Sequence, residues 1–330
     1  MSTLIITNGD AAAEKMREGR INGEILCWRD VLAEGPVPQT GTLEELSGIR
    51  SDYLAWRGWG DAEAIRDVFA ERDGAMRALG QFSDVMLWFE HDLYDQLQLL
   101  QILDFLASEE TRSGRCQLIQ SGSFIGTENP QRLRMHLKLK QPLSEALLSL
   151  AQAAWSAYRS PSPERWAALL RYDTSAMPFL RAAILRHLEE FPSTANGLSR
   201  TEAFILASVR DGINTPGELF VAFQEFEETP FMGDWSFFSI LDSLAGGAAP
   251  FISGLKGWTY SPYFDEGQRE IYLTAELRLT GLGNTTIGGK KDAIAFRRLD
   301  RWLGGVHLRN ERCWRWDEGS RTLVAPNGRY

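Results

Sequence analysis

Short, continuous apolar runs open the chain, and helical periodicity takes over in its middle. Leu4-Ile5-Ile6-Thr7 reads as a buried strand closed by Asn8-Gly9-Asp10, and residues 24–28 as a second strand after the Asn22-Gly23 turn. Residues 84–89, Asp-Val-Met-Leu-Trp-Phe, are nearly all apolar, as a central strand covered on both faces requires. Residues 116–120 read as a fourth strand, closed by Ser121-Gly122. Helical composition fills residues 11–20, 42–50, 61–79 and 92–107 between them, the last with Leu93, Leu97, Leu100 and Leu103 as its core stripe. Strands alternating with helices predict an α/β domain over residues 1–125, with a mainly parallel, Rossmann-like sheet and right-handed crossovers.

From Leu143 the rhythm is helical, at residues 142–158, 163–172 and 177–191, which predicts a helical segment over 126–192. Ser199-Arg200-Thr201-Glu202 is a capping box opening a helix to about Arg210. Thr215-Pro216 opens a second helix and residues 233–244 read as a third. Short strands expected at 250–253 and 257–260 complete the outline of a winged-helix-like region over residues 193–330. A further helix is expected at 297–303, then a terminal hairpin pairing 313–316 with 321–324.

Composition changes this picture little: 44% hydrophobic and 24% charged residues suit a globular protein with a sizeable core. No apolar run approaches the roughly 20 residues of a membrane helix, so no membrane partner is expected. The first residues lack a basic, apolar leader, and Cys27, Cys116 and Cys313 form neither a zinc nor a disulfide pattern. A reducing cytoplasm is the simplest reading. Neither GxGxxG nor GxxxxGK[ST] occurs, so no nicotinamide or flavin cofactor is expected.

Charge is more informative. From Lys290 onward ten basic residues face five acidic ones, which leaves 25 basic and 39 acidic residues in the rest of a chain of net charge −9. An acidic body disfavours nucleic acid except at the C-terminal end, where Arg297, Arg298 and Arg301 are candidate phosphate contacts. Those arginines could equally answer the acidic body. Trp302, Trp314 and Trp316 interleave with the basic tail and read first as packing.

In an open parallel sheet, ligands bind outside the carboxyl ends of the strands. Those ends carry Asn8 and Asp10, then Arg29 and Asp30, then Glu90, His91 and Asp92, then Ser121 and Ser123. Four carboxylates converging from three strands are costly unless they bind a hard cation, pair with Arg29 or share protons. Mg²⁺ is the expected cation, held by Asp10, Asp30, Glu90 and Asp92. His91, Glu90 and Asp10 are the candidates for proton transfer, and Arg29 would neutralise phosphate. Asp95 and Gln96 sit in the first turn of the following helix, where a polar ligand is favoured. The plain alternatives are that Asp92 and Asp10 cap helices, that Arg29 and Asp30 pair, that His91 is structural, and that Gln98 is a solvated helix face. His136 lies in an alternating Arg-Met-His-Leu-Lys run that reads as an exposed strand, and His187 as a packed helical residue.

Three runs together carry a resemblance: Asn8-Gly9-Asp10; Trp28-Arg29-Asp30-Val31-Leu32 with Glu34-Gly35-Pro36-Val37; and residues 87–99, Leu-Trp-Phe-Glu-His-Asp-Leu-Tyr-Asp-Gln-Leu-Gln-Leu. They resemble a bacterial family catalogued as domain of unknown function eighteen-thirty-five, and residues 300–308 with Trp314-Arg315-Trp316-Asp317 are similar to its C-terminal part. Leu279 to Asn284 is similar to an LTxxG helix opening in those proteins, with a poorer helix after Asn284 here. The resemblance implies no activity. It implies that Asp10, Arg29, Asp30, Glu34, Glu90, His91, Asp92, Asp95 and Gln96 belong to shared motifs, and these coincide with the strand-end cluster.

The expected function is binding of a phosphate-bearing small molecule or nucleotide by Asn8, Arg29, Asp30, Glu34, Asp92, Asp95, Gln96 and Ser121. Mg²⁺-assisted phosphoester hydrolysis or transfer is the reaction such a site would serve. The competing expectations are a ligand-sensing regulator whose winged-helix-like region touches DNA, and a protein-interaction module on the same scaffold.

Overall fold

Four apolar segments pair side by side in the computed structural model, which describes residues 2–108 and 115–326. They are β1 (Thr3–Thr7), β2 (Glu24–Cys27), β3 (Asp84–Phe89) and β4 (Cys116–Gln120), separated by α1 (Asp10–Glu18), α2 (Leu43–Trp56), α3 (Ala62–Arg77) and α4 (Leu93–Ser108). After β4 come α5 (Pro130–His136), the two-residue β5 (Gln141–Pro142), α6 (Glu145–Tyr158), α7 (Glu164–Ala168) and α8 (Leu180–Leu188). The sheet order is β2-β1-β3-β4-β5, parallel except for the β5 edge. The protein is thus mixed α/β around a mostly parallel five-stranded sheet. Among the described residues, no helix is long and apolar enough to cross a membrane.

The strand order has one functional consequence. β1 lies between β2 and β3, so the chain leaves β1 on one side and returns on the other. The crossovers diverge there and open a crevice at the carboxyl ends of β1 and β3. Both faces of these strands are buried, with Leu4, Ile6 and Leu87 on one side and Ile5, Met86 and Trp88 on the other. The near-continuous apolar runs follow from this.

The helix α4 is buried almost all round, and the polar residues it takes into the core organise the neighbouring loops. Gln96 Nε2 donates to the Glu90 carbonyl at 2.7 Å and Gln98 Nε2 to the Asp30 carbonyl at 2.9 Å. Gln101 Oε1 accepts from Trp28 Nε1 at 2.9 Å. Buried backbone carbonyls in loops need such partners, which a purely apolar helix would not supply. Gln98 is therefore wholly buried, not a solvated face.

By its internal contacts the chain divides into Met1–Leu185 with Trp302–His307, and Arg186–Arg301 with Leu308–Tyr330. Most of the expected helical segment therefore folds with the sheet. Gly304 and Gly305 show why Trp302–His307 belongs there. Gly305 N donates to the Tyr158 carbonyl at 3.0 Å, and Val37 N to the Gly304 carbonyl at 2.9 Å. A Cβ on Gly305 would sit 2.1 Å from the Arg159 carbonyl oxygen, and Gly304 has φ +61°. No other residue type fits this approach.

In the second unit, α9 (Arg200–Arg210), α10 (Pro216–Phe226) and α11 (Asp234–Ala245) pack around Leu206, Leu219, Phe223, Phe237 and Leu241. The Ser199–Glu202 capping box forms, and Thr215 caps α10 as expected. The strand β6 (Ile252–Ser253) is followed by α12 (Glu266–Leu273), β7 (Arg278–Leu279) and α13 (Gly281–Ile287). The antiparallel partner of β6 is β7, whereas residues 257–260 form no strand. Residues 297–303 do not form the expected helix. They lead into β8 (Asp300–Leu303), which turns at Gly304-Gly305 into β9 (Val306–Arg309). The terminal hairpin is present as β10 (Arg315–Asp317) and β11 (Thr322–Val324).

Candidate functional site

Each residue of the crevice is placed by a chain reversal at a strand end. β3 stops at Phe89, and the next residues enter α4 with Asp92 as N-cap: its Oδ1 accepts from Asp95 N at 3.1 Å. The capping reading of Asp92 is therefore correct. The cap also bends the chain so that Glu90, Asp92 and Asp95 each bring a carboxylate oxygen within 4.8 Å of the others. All three are buried.

Hydrogen bonds fix the cluster from beneath. Asp95 accepts at both oxygens, from Glu90 N at 2.6 Å and from Asn8 Nδ2 at 2.7 Å. Asn8 thereby ties the end of β1 to the end of β3 across the crevice. Glu90 Oε1 accepts from Ile125 N at 2.7 Å, adding the loop after β4. Among the described residues, no lysine or arginine pairs with any of the three carboxylates. The electrostatic result is a set of reluctant acids. Burial and the adjacent Asp92 push the Glu90 carboxyl up to about 7. Burial raises Asp92 to about 6, its backbone hydrogen bonds opposing the shift. Burial and the same two neighbours push Asp95 well above the usual carboxylate range.

The expected residues separate into three groups. Glu90, Asp92, Asp95, Asn8 and Gln96 come together. Asp10 and Arg29 form a bidentate pair at 2.6 and 2.9 Å, with Asp10 largely exposed, and Arg29 N donates to the Asn8 carbonyl. The Arg29 guanidinium holds the Asp10 carboxyl below its usual range, so Asp10 is an ionised, neutralised partner and does not cap α1. Arg29 adopts φ +43°, a left-handed conformation that strains a non-glycine residue. Asp30 stands apart. It is wholly buried against Arg50, with Nη2···Oδ1 2.8 Å and Nε···Oδ1 3.0 Å, and so does not join the cation set expected for it. Glu34 faces Arg57 at 3.6 Å. Ser121 Oγ donates to the Ser123 carbonyl at 2.7 Å.

His91 is half-buried, its ring 4.8 Å from Phe124 and 5.8 Å from Phe179. Burial lowers its pKa, so the ring is neutral near pH 7. Its Nδ1 has no hydrogen-bond partner among the described residues, and neither has Oε1 of the fully buried Gln96. His136 lies at the end of α5, not on a strand, with Nδ1 3.5 Å from Ser121 Oγ.

Arg50 lies outside the set expected from sequence, yet it shapes the loop after β2. Its guanidinium also donates to the carbonyls of Glu34 (2.5 Å) and Val31 (2.8 Å). Arg72 lies beneath, its guanidinium 4.3 Å from the Trp28 ring and 4.2 Å from the Phe69 ring. Spacing was the available signal: Leu46, Arg50 and Leu54 recur every four residues and share the buried stripe of α2.

The basic cluster of the second unit is internally engaged. Arg297 makes a two-pronged pair with the buried Glu202, and Arg301 reaches the buried Glu190 at 3.0 Å. Only Arg298 of the three is strongly exposed. No protein-family model matches this chain, and no curated protein does.

Proposed function

We propose that the crevice between the ends of β1 and β3 binds a divalent cation through Glu90 and Asp92, supported by Asp95, and with it a phosphate-bearing small molecule or nucleotide. One observation carries this reading: three buried carboxylates meet within 4.8 Å at the topological switch point with no basic partner among the described residues. Clustered hard oxygen donors suit Mg²⁺, Mn²⁺ or Ca²⁺, and the unpartnered Gln96 Oε1 leaves a further oxygen beside the Glu90 carbonyl. Asp95, already accepting at both oxygens, orients Asn8 and the Glu90 backbone. A bound cation would supply charge neutralisation to phosphoryl oxygens.

The protein's own groups divide the remaining work. Arg29 follows Asn8's partner strand, and its exposed guanidinium can exchange Asp10 for a phosphate in a similar bidentate geometry. Neutral His91 suits a general base at pH 7, and phosphoester hydrolysis or transfer is the reaction class this combination fits. The runs that resemble the bacterial family of unknown function supply Asn8, Asp10, Arg29, Glu90, His91, Asp92 and Asp95.

The second unit has three helices followed by the β6–β7 pair, which supports a winged-helix-like reading of it. Engagement of Arg297 and Arg301 by Glu202 and Glu190 favours the ligand site over DNA contact through these arginines. A thermal-shift panel of nucleotides and sugar phosphates with Mg²⁺ or Mn²⁺ tests the proposal. At least one ligand should raise Tm by several degrees more with the cation than in EDTA in the wild type, and Glu90→Gln or Arg29→Gln should abolish that cation-dependent rise. A cation-dependent rise that persists in both variants would place the ligand elsewhere.

A further inference from the structure

The opposite end of the sheet holds a cavity whose charge is opposite in sign to that of the crevice. It has a volume of about 420 Å³ and lies beneath the amino ends of β1 and β3, where Thr3 and Asp84 begin their strands. Arg20 and Asn22 reach it from the α1–β2 turn, Gln117 from β4, Arg134 from α5, and Lys140 from the segment before β5. Because β1, β3 and β4 are parallel, this cavity and the acidic crevice are at opposite ends of the same strands.

Three cations and one acid line it. Among the described residues, none of Arg20, Arg134 and Lys140 is in an ion pair. Asp84 accepts a hydrogen bond from Ser83 Oγ at 3.1 Å and likewise has no basic partner. Arg134 is pre-ordered: its Nη1 donates to the Gly19 carbonyl at 3.2 Å, at the C-terminus of α1. Arg20 is held in the left-handed region at φ +53°. An arginine in that conformation costs conformational energy that the surrounding turn must offset. The local sequence departs from the acidic character of the chain, since residues 129–141 contain Arg132, Arg134, Lys138 and Lys140 and no acidic residue. Unpaired cations gathered at a concave surface repel one another, and a multivalent anion removes that repulsion. The amides of Asn22 and Gln117 add neutral donors.

We propose that this cavity is a binding site for a diphosphate group, free or carried by a nucleoside diphosphate, held by Arg20, Arg134 and Lys140. The site is independent of the divalent cation and of the crevice reading.

The test is calorimetric titration of the full-length protein in EDTA at fixed ionic strength, with inorganic pyrophosphate in one arm and ADP in the other. Pyrophosphate should bind saturably at one site. Arg134→Gln with Lys140→Gln should weaken it at least about 10-fold, and Lys140→Gln alone, an exposed change, by about 3-fold or more. Asp84→Asn should tighten binding, and Glu90→Gln should leave it unchanged. Binding of ADP as tightly as pyrophosphate assigns the nucleotide source, and binding of pyrophosphate alone the free anion. Absence of saturable binding, indifference to Lys140→Gln, loss in Glu90→Gln, or displacement by an oligonucleotide at lower concentration than by pyrophosphate would each overturn the assignment.

Discussion

Replacing Arg50 with methionine should destabilise the protein by about 3–5 kcal/mol, the cost of leaving a buried charge without its partner. Asp30 is wholly buried, and Arg50 supplies two of its hydrogen bonds. Arg72 approaches Asp30 only to 4.0 Å and is already engaged by Asp73 and Ser47, so it is a poor substitute. The same guanidinium satisfies the carbonyls of Val31 and Glu34, so its loss also frees the loop that carries Arg29. Arg50→Lys should recover little, because an ammonium cannot reproduce the fork of donors. Asp30→Leu added to Arg50→Met should recover part of the loss by removing the orphaned charge. Urea unfolding checks all three. A loss below about 1 kcal/mol for Arg50→Met would show that the pair does not organise this loop.

The acidic crevice should make the metal-free protein weaker as pH rises. Glu90 and Asp92 hold their protons more tightly when folded than when unfolded, with Glu90 raised from 4.5 to about 7 and Asp92 from 3.8 to about 6. Their contribution is complete below the unfolded values and is lost as pH climbs through about 6 to 7. His187 acts in the other direction, since burial lowers it to about 3 and its stabilising effect grows as pH rises towards 6.5. A comparison with Glu90→Gln removes that background. Glutamine preserves an acceptor for Ile125 N but cannot ionise, so the variant should gain on the wild type as pH rises from about 4.5 to about 7, by up to about 3 kcal/mol in all, and the difference should level off above that. Excess Mg²⁺ at pH 8 should stabilise the wild type and close the gap. A constant difference across pH would mean that the carboxylates are not strained in the folded state.

How much of this the sequence discloses depends on whether local pattern or distant partners decide a residue's place. The bounds of β3 and β4 are legible because an apolar run between turn residues has one stable use in a parallel sheet. The capping box at Ser199 is legible because both partners lie within four residues. That Glu90 and Asp92 come together is legible through their position just beyond a strand. Asp30 is not, because whether it faces the crevice or Arg50 depends on how α2 packs, twenty residues away. Gln98 follows the same logic: its polarity suggests water, but a loop carbonyl in the core is its partner. The helix expected at 297–303 fails against a stronger signal, the Gly304-Gly305 pair between two short runs that marks a hairpin. The third carboxylate of the cluster, Asp95, has its role set by the capping turn, which places it beside Glu90.

The central claim is that the cluster is a cation site, and a Mn²⁺ titration followed by electron paramagnetic resonance tests it most directly. At pH 7.5 the wild type should remove free Mn²⁺ from solution at one saturable site that Mg²⁺ competes for, and Glu90→Gln with Asp92→Asn should show none, while keeping the wild-type circular dichroism. Equal Mn²⁺ binding by wild type and double variant, or none by either, would contradict it.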